Sequence, residues 1–187
     1  MRKKLVPRLI FLLFISLFLF KETFADVNWL PAKEGDKVIL IRHALAPGSG
    51  DPEGFNLKDC STQRNLDQVG INQSKKIGQL FKKNNISIDQ VLSSQWCRCK
   101  DTAKYAFKKY KEFSPLNSTF QSPYKKKAEQ QIKELKNFVK NWNGNGKNLV
   151  LITHYIVITE VTDAVPRSGE IVITDKNFNV LTTIQTN

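Results

Sequence analysis

The chain has 187 residues, of which 41% are hydrophobic and 25% charged, enough apolar material for one ordinary globular domain and too little for two large ones. Lysine and arginine outnumber the acids 29 to 17, for a net charge of +12, which favours anionic partners and says nothing about fold. Only two histidines and three cysteines occur, so a chemistry built on clusters of soft metal ligands has little to draw on.

The chain opens with Arg2, Lys3, Lys4 and Arg8, followed by an apolar run from Leu9 to Phe20 broken only by Ser16. This is the layout of a signal peptide, too short for the roughly 20 apolar residues of a bilayer-spanning helix. Thr23-Phe24-Ala25 places cleavage after Ala25, leaving residues 26–187 as the mature domain and a periplasmic or secreted protein that meets the membrane only through the segment removed. Cleavage removes five basic residues (Arg2, Lys3, Lys4, Arg8, Lys21) and Glu22, so the net charge falls from +12 to +8. Much of the surplus lies in runs such as Lys125-Lys126-Lys127, which read first as solvated helix face. No aromatic and basic interleaving and no helix-turn-helix pattern points to nucleic acid.

Val38-Ile39-Leu40-Ile41 is a continuous apolar run that predicts a strand buried on both faces, ending at Arg42-His43. Residues 44–66, with Pro47, Gly48, Gly50, Pro52 and Gly54, read as a long loop, and a loop of that length in a compact domain is usually functional. A helix is predicted from Asp67 to about Lys83, weakened by Gly70 and Gly78. Val91-Leu92 is a short strand, and a helix follows from Gln95 to about Tyr110, with Arg98 on a first turn whose backbone N–H groups favour an anion. Ile132, Leu135, Phe138, Val139 and Trp142 mark a helix from Tyr124 to Trp142, stopped by Asn143-Gly144-Asn145-Gly146. Leu149-Val150-Leu151-Ile152 repeats the first strand and ends at Thr153-His154. A short helix from about Ile156 to Thr162 and a hairpin of 170–174 with 180–184 complete the chain. The alternation predicts an α/β fold in three αβα layers around a mostly parallel sheet, with ligands at the carboxyl ends of its strands.

Both histidines lie at such strand ends. One alone would read as a hydrogen-bonded structural residue. Two, joined by Arg42 and by Arg98 at a helix start, form a candidate phosphoryl site, because guanidinium forks match phosphate oxygens and imidazoles supply a nucleophile and a switchable cation. No phosphate-cradling glycine loop or acidic cluster for divalent metals accompanies them, so no metal or cofactor is expected.

These residues resemble the histidine phosphatase superfamily, also called phosphoglycerate mutase-like. Leu40-Ile41-Arg42-His43-Ala44 is similar to its Arg-His-Gly signature, Leu92 to Ala103 to its second arginine motif, Ile152-Thr153-His154 to its second histidine, and Arg64-Asn65-Leu66 with Gly70 to its Leu-Thr-x-x-Gly segment. Gly169 to Val172 resembles the strand start of small periplasmic members. The resemblance implies a phosphomonoesterase in which His43 attacks phosphorus to give a phosphohistidine. Arg42, Arg98 and His154 would hold the phosphoryl oxygens, and Arg64 is a further substrate-binding candidate. The expected substrate is a phosphorylated small molecule or envelope glycan.

Two departures from the family pattern stand out. Ala44 replaces the commoner glycine, and the glutamate that many relatives carry after the second arginine is missing between Ser118 and Lys127. Asp51, Glu53 and Asp59 in the long loop are the candidate general acids, Asp51 first; the alternative is a leaving group good enough to need none, such as phosphohistidine. A non-catalytic envelope protein binding phosphorylated glycan or lipid is a reading from another class. Cys60, Cys97 and Cys99 allow one disulfide, from Cys60 to either of the others, or three buried thiols.

Overall fold

The computed structural model describes residues 28–121 and 123–186; the expected signal segment, 1–25, and the cleavage site expected after Ala25 lie outside them. The described elements are α1 (Leu30–Glu34), β1 (Val38–Arg42), α2 (Gln68–Lys83), β2 (Ile88–Ser93), α3 (Cys97–Phe107), β3 (Lys111–Glu112), α4 (Ala128–Asn141), β4 (Asn148–Thr153), α5 (Tyr155–Thr162), β5 (Ile171–Thr174) and β6 (Val180–Ile184). The strands form one sheet in the order β3-β2-β4-β1-β5-β6. β3, β2, β4 and β1 run parallel, and β5 and β6 close one edge as an antiparallel hairpin.

Alternate residues of the central strands feed two cores. Ile39, Ile41, Val150, Ile152, Ile171 and Ile173 face α2 and α3, against Ile77, Phe81, Cys99 and Ala103. Val38, Leu40, Leu149, Leu151 and Val172 face α4 and α5, against Ile132, Leu135, Val139, Val157 and Ile158. The unbroken apolar runs in β1 and β4 follow from this, since helices cover both faces and no position looks at water. The three layers are those expected.

Asp67 caps α2 by accepting from the Gly70 N–H at 2.8 Å. The two glycines that weakened that helix in the sequence are its points of closest approach. A Cβ on Gly70 would lie 2.0 Å from the Leu45 carbonyl oxygen, and one on Gly78 2.1 Å from that of Ala106 in α3. Packing outweighs the helix propensity lost there.

The structure adds elements that patterning missed and moves several boundaries. α1 and the two-residue edge strand β3 are too short to carry a periodic signal. α3 starts at Cys97, two residues later than predicted, and the start of the Tyr124 helix is a 3-10 turn, Tyr124–Lys127, leading into α4. Among the described residues, no helix is long and apolar enough to cross a membrane.

Candidate active site

Strand register assembles the site. β1 and β4 pair with Arg42 beside Thr153, so the next residues, His43 and His154, emerge side by side from the same sheet edge. The His43 N–H donates to the Thr153 carbonyl at 2.9 Å, and the Ser94 N–H, beyond β2, to the Ile152 carbonyl at 2.9 Å. The imidazole centroids are 5.5 Å apart, and both rings are buried. α3 begins three residues after Ser94 and sets Arg98 on its first turn, facing the histidines. At the helix terminus, Gln63 Oε1 takes the Cys97 N–H at 3.0 Å, and the Trp96 carbonyl takes those of Cys99 and Lys100.

Each histidine is held in one tautomer by its neighbours. His43 Nδ1 lies 2.8 Å from the Ala44 carbonyl, which can only accept, so the proton sits on Nδ1 and Nε2 carries a free lone pair. Burial, followed by the nearby charge of Arg98, pushes the His43 pKa well below its ordinary value despite that hydrogen bond, and Arg42 and Arg64 push the same way. His154 Nδ1 faces the Arg98 Nη2 at 3.5 Å; a guanidinium only donates, so the His154 proton is on Nε2, 2.9 Å from Ser94 Oγ. Ser94 in turn donates to Asn117 Oδ1 at 3.3 Å. Burial first, then Arg98 and His43, lower the His154 pKa as well. The site therefore holds two neutral imidazoles among cationic guanidiniums.

Arg98 is fixed by a carboxylate from the long loop. Its Nη1 and Nη2 donate to Asp51 Oδ1 and Oδ2 at 2.8 and 3.1 Å. Asp51 also accepts from Trp96 Nε1 at 3.0 Å and the Arg64 N–H at 3.1 Å. Burial alone would raise the Asp51 pKa, but the hydrogen bonds and charge of Arg98, with those two N–H groups, hold it below its ordinary value. The acid expected from the sequence is thus an ionised acceptor whose oxygens are already in use. Glu53 and Asp59 are exposed, and Asp59 caps the turn Cys60–Thr62.

Arg42 and Arg98 each retain a buried Nε–H with no partner among the described residues. An unmatched buried donor costs about 1–3 kcal/mol, and both arginines that carry one also line the same cavity. Arg42 is otherwise held by the Pro166 carbonyl at 3.0 Å and by the Tyr155 ring, 5.3 Å from its guanidinium carbon. Arg64 donates to the Gly50 carbonyl at 2.7 Å and to that of Ala46, so it braces the loop as well as lining the cavity.

No family model and no curated protein matches the sequence, but solved structures do match the fold. The protein TTHB049 from Thermus thermophilus superposes with a TM-score of 0.58 and 17% identity, over 81% of this chain and 99% of that one. A phosphoserine phosphatase from Entamoeba histolytica, in complex with 3-phosphoglyceric acid, gives 0.57 and 16%, over 81% and 98%. The protein histidine phosphatase SixA, complexed with tungstate, gives 0.51 and 14%, over 80% and 94%. The chain shares the fold of these proteins.

Within this fold, a cavity of about 90 Å³ is lined by Arg42, His43, Arg64, Arg98, His154 and parts of the long loop. Its remaining wall, Ser118, Phe120, Gln121 and Tyr155, was not legible beforehand. For Tyr155 a signal existed, its place directly after His154; Phe120 and Gln121 sit in a segment without pattern. The disulfide joins Cys60 to Cys97, tying the loop to the residue before Arg98. Cys99 is the free thiol, buried with Sγ 3.5 Å from His154 Nε2, and burial pushes its pKa up to about 12, so it stays protonated.

Proposed function

We propose that this chain is an exported phosphatase of the histidine phosphatase superfamily, hydrolysing phosphomonoesters through a phosphohistidine on His43. The observation that carries the reading is the set of groups around one small cavity: a neutral His43 with its Nε2 lone pair free, beside Arg42 and Arg98, each with an unmatched buried donor. Neutrality is what a nitrogen nucleophile needs, and preorganised cationic donors are what a phosphoryl transition state needs.

In the proposed reaction, His43 Nε2 attacks phosphorus in line and the leaving oxygen departs. Water then attacks the phosphohistidine, and orthophosphate is released. Arg42 and Arg98 hold the equatorial oxygens. His154 is neutral in the free pocket, and a bound dianion favours its cationic form, which then donates to the same group. Asp51 positions Arg98 and does not protonate the leaving group. Arg64 contributes charge and holds the loop in place. The mechanism runs on side chains, so turnover should survive a chelator.

Export, with cleavage after Ala25, is part of the proposal, and the Cys60–Cys97 disulfide supports it, because such bonds persist in oxidising compartments. The substrate is then a phosphorylated small molecule or envelope glycan outside the cytoplasm. Turnover of p-nitrophenyl phosphate by residues 26–187 tests the activity, since this ester needs no acid. The expected result is turnover that His43→Ala abolishes with the fold intact and that Arg42→Ala lowers by about 10²–10³. Binding of phosphate without turnover would instead favour a non-catalytic binding protein.

A further inference from the structure

The cavity that holds the phosphoryl site measures about 90 Å³, against the roughly 300–1,000 Å³ of pockets that enclose a whole drug-sized ligand. It has room for a phosphoryl group and little else, so the rest of any substrate lies across the rim. On that rim Phe120 is 48% exposed, and its ring centroid is 6.2 Å from that of Tyr155, at an angle of 59°. Tyr155 carries Arg42 on its face, so the aromatic pair is continuous with the phosphate-binding guanidinium. A large apolar ring left half in water beside a binding cavity is a contact surface for a flat apolar group.

A second observation concerns the leaving oxygen. No aspartate or glutamate lines the cavity among the described residues, and the carboxylate that meets the lining residue Arg98, that of Asp51, is also taken by Trp96 and the Arg64 N–H. An alkoxide departing from an alkyl or sugar phosphate needs a proton at that moment; an aryl oxide does not. Acyl phosphates, phosphoanhydrides and phosphohistidine also leave without a carboxylic acid, but the first two bring no flat face to Phe120 and the imidazole ring of the third is polar where Phe120 offers only an apolar face. A sugar ring could lie on Phe120, yet its oxygen would lack an acid. Only one ester class meets both conditions.

Resting on the phosphatase reading above, we infer that this pocket selects aryl phosphomonoesters, free or as phosphotyrosyl side chains, and that Phe120 is the residue that recognises the aryl group. The His43 Nε2 lone pair forms the N–P bond as the P–O(aryl) bond breaks, its electron pair leaving on the aryl oxide. Water then adds to phosphorus, orthophosphate departs, its proton passes to solvent, and neutral His43 returns.

The test compares kcat/KM for phenyl phosphate, a phosphotyrosyl peptide, acetyl phosphate and glycerol 3-phosphate. Phenyl phosphate is expected to exceed glycerol 3-phosphate by at least 10²-fold, the usual worth of a general acid. Phe120→Ala is expected to lower the ratio of phenyl to acetyl phosphate turnover about tenfold. Without any variant, phenylphosphonate should inhibit about tenfold more tightly than methylphosphonate. The phosphotyrosyl peptide against phenyl phosphate separates the two sources of the aryl group. Equal turnover of glycerol and phenyl phosphates, or equal inhibition by the two phosphonates, overturns the inference while the phosphatase reading stands. Absence of turnover of all four, acetyl phosphate included, overturns both.

Discussion

The Cys60–Cys97 bond closes a chain separation of 37 residues, and the cost of losing it can be worked from that length. In the chain-entropy treatment, a loop of this size removes about 13 cal/mol/K from the unfolded ensemble, or about 4 kcal/mol at 25 °C. Domains of this size are stable by only about 5–15 kcal/mol, so reduction should remove a large fraction of the total and lower the melting temperature by roughly 8–16 °C. The same loop carries Asp51 and Arg64, and the bond lands one residue before Arg98. Freed of the bond, the loop should hold Arg98 less well, so turnover should fall at temperatures where the reduced protein is still folded. Urea unfolding of oxidised protein, reduced protein and the Cys60→Ser/Cys97→Ser double variant gives the free energies, and p-nitrophenyl phosphate turnover at 25 °C gives the activity. A stability change below about 1 kcal/mol would refute the loop-entropy argument for this site. Full turnover by the reduced, folded protein would show that the loop needs no covalent tie to hold Arg98.

Asp51→Asn should destabilise the fold by about 3–5 kcal/mol, the usual cost of leaving one member of a buried ion pair unmatched, as read by urea unfolding. It should also slow p-nitrophenyl phosphate turnover without changing the shape of the pH profile; an acid role would instead spare this good leaving group. Both histidines are buried with lowered pKa values, so they are neutral in the fold and take up protons on unfolding below their ordinary pKa near 6.5. Their contribution is therefore present above about pH 6.5 and is lost as pH falls towards their folded values, by up to about 1.4 kcal/mol per pH unit for each. Unfolding free energies between pH 7.5 and 5 should show that slope, and added orthophosphate should offset it. Gly78→Ala should lower the melting temperature by several degrees, costing about 1–3 kcal/mol, because a Cβ there meets the Ala106 carbonyl at 2.1 Å; a rise would mean that helix propensity wins.

The layered α/β fold was written into the local pattern of the chain. Four-residue apolar runs such as 38–41 and 149–152 announce strands covered on both faces, and the spacing of Ile132, Leu135 and Val139 announces the helix that covers one of them. Arg42, His43, Arg98 and His154 were legible for the same reason: a strand end or a helix start is a local feature, and strand ends in a parallel sheet are where ligands sit. What tertiary structure alone decided depends on contacts between distant residues. Strand register sets the two imidazoles 5.5 Å apart, and only the fold of the long loop pairs Asp51 with Arg98, turning an expected proton donor into a buried acceptor. Which cysteine meets Cys60, why α2 keeps Gly78, and that Phe120 stands at the cavity mouth are of the same kind. Such outcomes come from the meeting of surfaces brought together by folding, and residue spacing along the chain does not encode them.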